Sequence, residues 1–171
     1  MPPPTERRGS DAARFDFFFY GTLCDSDVRA VVLGRKVEAS PATLEDYEAV
    51  PVDRGRFPIL LFQRGRTAGG VLCLGVGLVE AARLGFYERE GRDFGVRRLP
   101  VRDGRGEARQ AWVFLPTAAL RRGMGRWDPA EWERFAKRDF LDRAMRAMRK
   151  LEPKDLEPFV DLWRGRTAAK S

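Results

Sequence analysis

Histidine is absent from the 171 residues, and this absence excludes more chemistry than any other feature of the composition. It rules out Ser-His-Asp and Cys-His catalysis, zinc sites built on histidine, and every histidine general base. Any proton transfer must therefore use carboxylates, lysine, tyrosine, cysteine or water. Cys24 and Cys73 are too few for a zinc-finger ligand set and have no CxxC spacing, so we expect two reduced thiols and no metal site.

Long hydrophobic runs are also missing. No apolar stretch approaches the ~20 residues that a membrane-spanning helix needs. Residues 1–14 are rich in proline and charge and lack the apolar segment of a secretory signal, so we expect a flexible N-terminal segment and a cytoplasmic protein. Residues 15–171 have a length typical of one domain, and the 43% hydrophobic and 33% charged residues are typical of a folded protein.

Lysine supplies only five of the 32 basic residues, and the positive charge is unevenly distributed. Residues 1–85 contain 11 basic and 11 acidic residues, whereas residues 86–171 contain 21 and 14, which accounts for the net charge of +7. Such a basic half could attract nucleic acid or another polyanion by counterion release. The alternative is a solvated, arginine-rich surface, which the interleaving of basic and acidic residues favours.

Strand-like runs separated by glycine turns predict a mixed α+β fold. Residues 15–20 form a β-prone run that ends at Gly21, after which Asp25 and Ser26 can cap a helix that ends at Gly34. Further elements are predicted as strands at residues 43–50, 59–62, 70–76, 94–102 and 108–115, turns at 51–58, 64–69 and 103–106, and a helix over 78–89.

The last third of the chain changes to helical periodicity. Asp128 is a capping residue and Pro129 suits the first helical position, so we predict one long amphipathic helix from there to about residue 151. Its predicted apolar face consists of Trp132, Phe135, Ala136, Leu141, Ala144, Met145, Met148 and Leu151. A short helix is predicted around residues 156–163, with residues 164–171 fraying.

The turn after the first strand is a candidate binding site. A glycine directly after a buried strand lets the backbone bend sharply, and the next amides then point outward at a helix start, where the dipole favours anions. An anion-binding turn could therefore be formed by Tyr20, Gly21, Thr22 and Leu23. A purely structural turn has the same spacing, so both interpretations stay open.

Glu88 is a candidate acid or base, because it stands at the end of the predicted helix beside Phe86 and Tyr87. These aromatic neighbours would desolvate the carboxyl and raise its pKa, whereas Arg89 and Arg92 would lower it. The alternative is an ordinary solvated glutamate at a helix end.

Five segments, in order and rough spacing, resemble the gamma-glutamylcyclotransferase-like family. They are Phe17-Phe18-Phe19-Tyr20-Gly21-Thr22-Leu23, Arg56-Phe57-Pro58-Ile59-Leu60, Gly70-Val71-Leu72, Leu84-Gly85-Phe86-Tyr87-Glu88 and Arg97-Arg98-Leu99-Pro100-Val101. The Tyr-Gly-Thr-Leu loop paired with the downstream Leu-x-x-Tyr-Glu is the most specific part. The resemblance implies a small, mixed, twisted β-barrel over about residues 15–116, flanked by helices, with the C-terminal helices at about 128–164.

The same resemblance implies an enzyme that cyclises a small gamma-glutamyl compound to 5-oxoproline and releases an amine or amino acid, with no cofactor and no membrane partner. Glu88 would be the acid/base, and the substrate-binding loop would be Tyr20, Gly21, Thr22 and Leu23. Three positions depart from the family pattern. Gly85 stands where the family commonly has an aspartate, Arg89 stands where a glycine is common, and Phe94 lies near the position where a tyrosine is common.

The implied reaction agrees with a sequence that has no histidine. The nucleophile is the substrate's own α-amino group, so the protein needs only a carboxylate that removes one proton and returns another. The competing hypothesis is a noncatalytic module whose basic half, residues 86–171, binds nucleic acid or an acidic partner.

Overall fold

The computed structural model describes residues 13–168, and its central feature is a closed five-stranded β-barrel. The strands are β1 (Arg14–Phe19), β2 (Ser40–Pro51), β3 (Pro58–Gly77), β4 (Phe94–Arg102) and β5 (Ala108–Pro116), arranged in the order β1-β3-β2-β4-β5. Neighbours pair antiparallel except β1 and β5, which pair parallel through Phe17 and Trp112. The predicted α+β fold with a mixed barrel is confirmed.

Five helices flank the barrel: α1 (Ser26–Leu33), α2 (Leu78–Glu88), α3 (Pro129–Phe135), α4 (Lys137–Arg149) and α5 (Pro153–Ala168). The predicted caps are present. The Asp25 carboxylate accepts hydrogen bonds from the first free amides of α1, and Gly34 ends that helix with a φ of 88°. Asp128 caps α3 in the same way. None of the helices within residues 13–168 combines the length and apolar character that a membrane span requires.

The turn predicted at residues 64–69 is wrong, because β3 continues through it as one 20-residue strand. Between the pairs Glu45–Thr67 and Tyr47–Phe62, residues 63–66 bulge opposite Asp46 alone. The Gly65 amide donates a 2.9 Å hydrogen bond to the Asp46 carboxylate, which ties the bulge to β2. The glycine that predicted a turn therefore serves a bulge.

The single long helix predicted after Asp128 is also wrong. The backbone leaves helical geometry at Ala136, where φ is −122°, and the chain divides into α3 and α4. Because the helical periodicity does not continue across this break, the predicted apolar face is only partly buried: Phe135 and Met145 are exposed, whereas Trp132, Ala144 and Met148 are buried.

The ends of the chain differ from the predictions as well. Residues 1–12 of the predicted flexible segment lie outside the described residues, and Arg14 already belongs to β1. The terminal helix is longer than expected, since α5 extends from residue 153 to 168 and includes five residues predicted to fray. Residues 169–171 lie outside the described part of the chain.

Packing of α5 on the barrel explains why this last helix is long and ordered. The Trp163 side chain is fully buried, and its ring lies 5.0 Å from Phe15 and 5.2 Å from both Phe17 and Trp112, measured between centroids. A buried indole of this kind removes about 150–250 Å² of surface from water. The Arg166 guanidinium stacks on the same ring and bonds to the Glu90 carboxylate at 2.7 Å.

Close approach of β1 and β3 requires a glycine at position 70. A Cβ added to Gly70 would lie 2.1 Å from the Phe19 carbonyl oxygen and 2.8 Å from the Phe18 ring. We expect Gly70→Ala to lower the free energy of unfolding by about 3 kcal/mol, the upper end for overpacking, because the obstacle is backbone. Gly69→Ala is the matched control, since nothing lies within 4 Å of its added Cβ. Equal denaturation midpoints for the two variants would contradict this prediction.

Candidate active site

A cavity of about 880 Å³ opens beside one end of the barrel. Four pieces of the chain form most of its wall: the loop after β1, the connection between β2 and β3, the C-terminal end of α2, and one face of α4. Residues of β1, β4 and β5 complete it. Tyr20, Gly21, Thr22, Leu23 and Glu88, the five residues singled out from the sequence, all line this cavity.

The loop after β1 lines the cavity with Gly21, Thr22 and Leu23. Residues Thr22–Cys24 form one turn of 3-10 helix, in which the Cys24 amide donates to the Gly21 carbonyl at 3.0 Å and the Asp25 amide donates to the Thr22 carbonyl at 3.2 Å. Within residues 13–168, no turn or cap hydrogen bond uses the amides of Gly21, Thr22 or Leu23. These three amides are the donors that this loop can offer to an anion.

The Tyr20 hydroxyl is committed to the barrel. It donates a 2.6 Å hydrogen bond to the carbonyl oxygen of Phe114 in β5, and burial raises the pKa of the phenol well above its usual value. A phenol in this state does not ionise near neutral pH. Tyr20 therefore anchors the loop, and it forms part of the cavity wall.

Thr22 connects the loop to α2. Its hydroxyl and that of Tyr87 lie 3.2 Å apart and share a hydrogen bond, and burial together with the nearby Glu88 carboxyl raises the pKa of Tyr87. This contact fixes the loop next to the residue that precedes Glu88. The two sequence motifs, 65 residues apart, are therefore joined directly.

The Glu88 carboxyl is the titratable group best suited to proton transfer here. It is partly buried at the cavity wall and, within residues 13–168, makes no side-chain hydrogen bond or ion pair. Burial, as the larger cause, and the negative charge of Asp93 together raise its pKa to about 8. The opposing effect expected from Arg89 does not prevail, because that guanidinium lies 3.5 Å from the Asp93 carboxylate.

The three departures from the family pattern have structural counterparts. A Cβ at Gly85 would lie 2.9 Å from the Phe159 ring, so the missing side chain makes room for α5. Arg89 ends α2 with a φ of 53°, in the left-handed region that glycine adopts most easily. Phe94 lines the cavity and packs on Phe57, with centroids 6.3 Å apart.

Sequence reasoning missed the contribution of α4 to the cavity. Phe140, Arg143, Ala144 and Ala147 line it, and arginines at positions 54, 56 and 89 line it from the other segments. The i, i+3, i+4, i+7 spacing of the α4 residues was the available signal, since it defines one helix face. Within residues 13–168, no three His, Cys, Asp or Glu side chains are grouped so as to hold a metal ion.

The closed mixed barrel flanked by helices matches the gamma-glutamyl cyclotransferase-like class of folds. A family model described as gamma-glutamyl cyclotransferase, AIG2-like, matches residues 17–134. This match spans most of the chain, and the chain belongs to that family.

Solved structures share the fold at low identity. One is a solution structure of a protein from Arabidopsis thaliana, 23% identical with a TM-score of 0.61, covering 85% of this chain and 88% of that one. Another is called gamma-glutamyl cyclotransferase, 12% identical with a TM-score of 0.54, covering 87% and 99%. A third, from Homo sapiens, is 12% identical with a TM-score of 0.54, covering 86% and 98%. No curated protein matches the chain.

Proposed function

We propose that this chain is a gamma-glutamyl cyclotransferase that converts a gamma-glutamyl compound into 5-oxoproline and a free amine or amino acid, with Glu88 as its acid/base. The observation that carries the proposal is the Glu88 carboxyl, which faces the cavity without a partner among residues 13–168 and has a pKa raised to about 8. A carboxyl in this state exchanges protons readily with an amine, whose pKa is close to the same value.

The reaction requires only that protons move from one nitrogen of the substrate to another. Glu88 removes a proton from the α-ammonium group, and the resulting amine attacks the γ-carbonyl carbon to form a five-membered ring. Protonated Glu88 gives the first proton to the leaving nitrogen, and the bond between that nitrogen and the carbonyl carbon breaks. Glu88 then takes the second proton from the attacking nitrogen and passes it to the released amine. No net proton is consumed, so one carboxyl that accepts and returns protons is sufficient.

The loop after β1 supplies the electrostatic part of the proposal. Its amides at Gly21, Thr22 and Leu23, which take part in no turn or cap hydrogen bond within residues 13–168, are donors for the oxyanion that develops on the γ-carbonyl oxygen or for the substrate carboxylate. The Thr22–Tyr87 hydrogen bond holds these donors beside the helix that carries Glu88. Loop and carboxyl thereby act on the same small molecule.

The direct test is release of 5-oxoproline from gamma-glutamyl amino acids and gamma-glutamyl amines, measured by mass spectrometry. Alpha-glutamyl isomers are the matched control, because their scissile amide is next to the amine and cannot release the amine by five-membered ring closure. We expect release from the gamma isomers alone. Absence of amine release from the whole panel, or equal release by wild type and Glu88→Gln, would contradict the proposal.

The pH profile of the reaction should reflect the titration of Glu88. Below its pKa the carboxyl is protonated and cannot accept the substrate proton, so kcat/KM is expected to rise about tenfold per pH unit up to about pH 8. Above that pH the substrate α-ammonium also loses its proton, so kcat/KM is expected to decline again. Initial rates at low substrate concentration between pH 5.5 and 9 measure this dependence. A profile that is flat between pH 6 and 8 would exclude Glu88 as the base.

Gly21→Ala should disturb the loop without removing a functional group. Its added Cβ would lie 2.8 Å from the Pro58 ring, so the loop or the proline must shift. Because a displacement of about 1 Å can cost about a hundredfold in rate, we expect kcat/KM to fall by about 10- to 100-fold. Gly95→Ala, whose Cβ meets nothing within 4 Å, is the control that should retain activity. Equal kcat/KM for both variants would contradict the role assigned to the loop.

A further inference from the structure

One wall of the cavity comes from α4, a helix that begins after the last residue of the family match. The side chains of Phe140, Arg143, Ala144 and Ala147 form this wall, and Arg143 is the one charged residue among the four. The wall is therefore a feature of this chain's C-terminal segment, with a single cation facing the cavity.

Two sets of ion pairs fix the position of α4. At its first turn, the Lys137 ammonium lies 2.8 Å from the Asp25 carboxylate and 2.9 Å from that of Asp27, both of which belong to the α1 cap region. In the same turn, Asp139 lies 3.7 Å from the Arg56 guanidinium in the β2–β3 connection. These contacts attach α4 to the β2–β3 connection, which lines the cavity, and to the cap of α1, which follows the loop after β1, so they place the helix backbone that carries Arg143.

The cavity has more positive charge than the glutamyl part of a substrate can neutralise. Of its four arginines, Arg56 and Arg89 are paired with aspartates, whereas Arg54 and Arg143 have no hydrogen bond or ion pair within residues 13–168. A gamma-glutamyl group has one carboxylate and one ammonium. One carboxylate can satisfy one of the two unpaired guanidiniums, which leaves the other for an anion elsewhere on the substrate.

We propose that Arg143 is a specificity-determining residue that binds an anionic group, a carboxylate in the simplest case, on the leaving portion of the substrate. The inference rests on the proposed function and deepens it: the preferred substrates are gamma-glutamyl compounds whose leaving amine carries a negative charge. Guanidinium and carboxylate form charge-assisted, often bidentate hydrogen bonds, and an amide of the same size cannot replace them fully.

The kinetic test compares gamma-glutamylglycine with gamma-glutamylglycinamide, two substrates of nearly equal size that differ in one negative charge. Wild type is expected to prefer the first by at least about tenfold in kcat/KM, as loss of a charged hydrogen bond predicts. Arg143→Gln should lower kcat/KM for gamma-glutamylglycine by about the same factor, chiefly through KM. Its kcat/KM for gamma-glutamylglycinamide should stay within about twofold of the wild-type value. Arg143→Lys should retain part of the preference.

The matched control is Arg146→Gln, which changes an arginine of the same helix that is exposed, as Arg143 is, but does not line the cavity. This control should leave kcat/KM unchanged for both substrates. If Arg143→Gln lowers kcat/KM equally for both substrates, the residue binds the α-carboxylate that they share, and the proposal is overturned. An unchanged preference in Arg143→Gln overturns it as well.

Equilibrium binding separates this proposal from the proposed function. Titration calorimetry of both compounds against wild type and Arg143→Gln measures the charge preference whether or not turnover occurs. If gamma-glutamylglycine binds in a way that depends on Arg143 but no 5-oxoproline is released, the result would contradict the cyclotransferase activity and support the anion site. Turnover without any Arg143-dependent preference, or no binding of either compound, would overturn the anion site.

Discussion

Replacing Glu88 with glutamine is expected to lower kcat/KM by about 10²- to 10⁴-fold, the usual contribution of a positioned acid/base. Glutamine has nearly the same size and hydrogen-bonding shape but can neither accept the substrate proton nor return it. Since the carboxyl makes no hydrogen bond or ion pair within residues 13–168, the substitution removes no contact that holds the site together. The loss should appear in kcat, with KM nearly unchanged.

Two further variants make this prediction specific. Glu157→Gln removes an exposed carboxylate on α5 and should leave kcat/KM at the wild-type value. Glu88→Asp keeps the acid but withdraws it by one methylene, so an intermediate loss is expected. Steady-state rates of 5-oxoproline formation measure all three. A Glu88→Gln enzyme within about threefold of wild type would remove this residue from the mechanism.

Much of the fold follows from chemistry that acts over a few residues. Asp25 caps α1 with its own side chain and Gly34 ends that helix in the left-handed conformation, as the sequence predicted, and the strand predicted at residues 15–20 overlaps β1 at residues 15–19. The predictions were wrong where contacts between residues far apart in the sequence determine the local structure. The bulge at Gly65 depends on Asp46 in a neighbouring strand, and the sequence around Gly65 does not indicate that partner.

The meeting of Glu88 with the loop after β1 was predicted from the family resemblance, and both line one cavity. Their catalytic and binding roles stay predictions. The α4 wall could not be foreseen, because Arg143 looks like any other solvated arginine in an amphipathic helix. Its place depends on contacts such as that between Lys137 and Asp27, which are 110 residues apart.

Part of the excess positive charge in the second half of the chain has a structural use. Arg166 lies 4.3 Å from the ring centroid of Trp163 and is paired with the nearly buried carboxylate of Glu90. Arg98 lies over the ring of Trp112 on the barrel surface. Cations held in this way are less available to a polyanion, which weakens the argument for nucleic-acid binding that net charge alone had suggested.

Glu88 should also make the protein less stable as the pH rises, whatever its substrate. In the folded state the carboxyl keeps its proton up to about pH 8, whereas an ordinary glutamate loses it near 4.5. Between these values the folded state binds more protons than the unfolded state, so the stability that wild type has at pH 4.5 is lost progressively towards pH 8. The difference between the two pKa values corresponds to at most about 5 kcal/mol.

Glu88→Gln removes this titration, so the variant should unfold at nearly the wild-type temperature at pH 4.5 and roughly 5–15 °C above it at pH 9. Thermal unfolding of both proteins across this range, with Glu157→Gln as the control, measures the difference. A constant offset between Glu88→Gln and wild type at all pH values would mean that the carboxyl is not desolvated in the folded state. Conversely, a growing offset would identify Glu88 as a group that the fold keeps at a cost in stability, which is the behaviour expected of a residue retained for its chemistry.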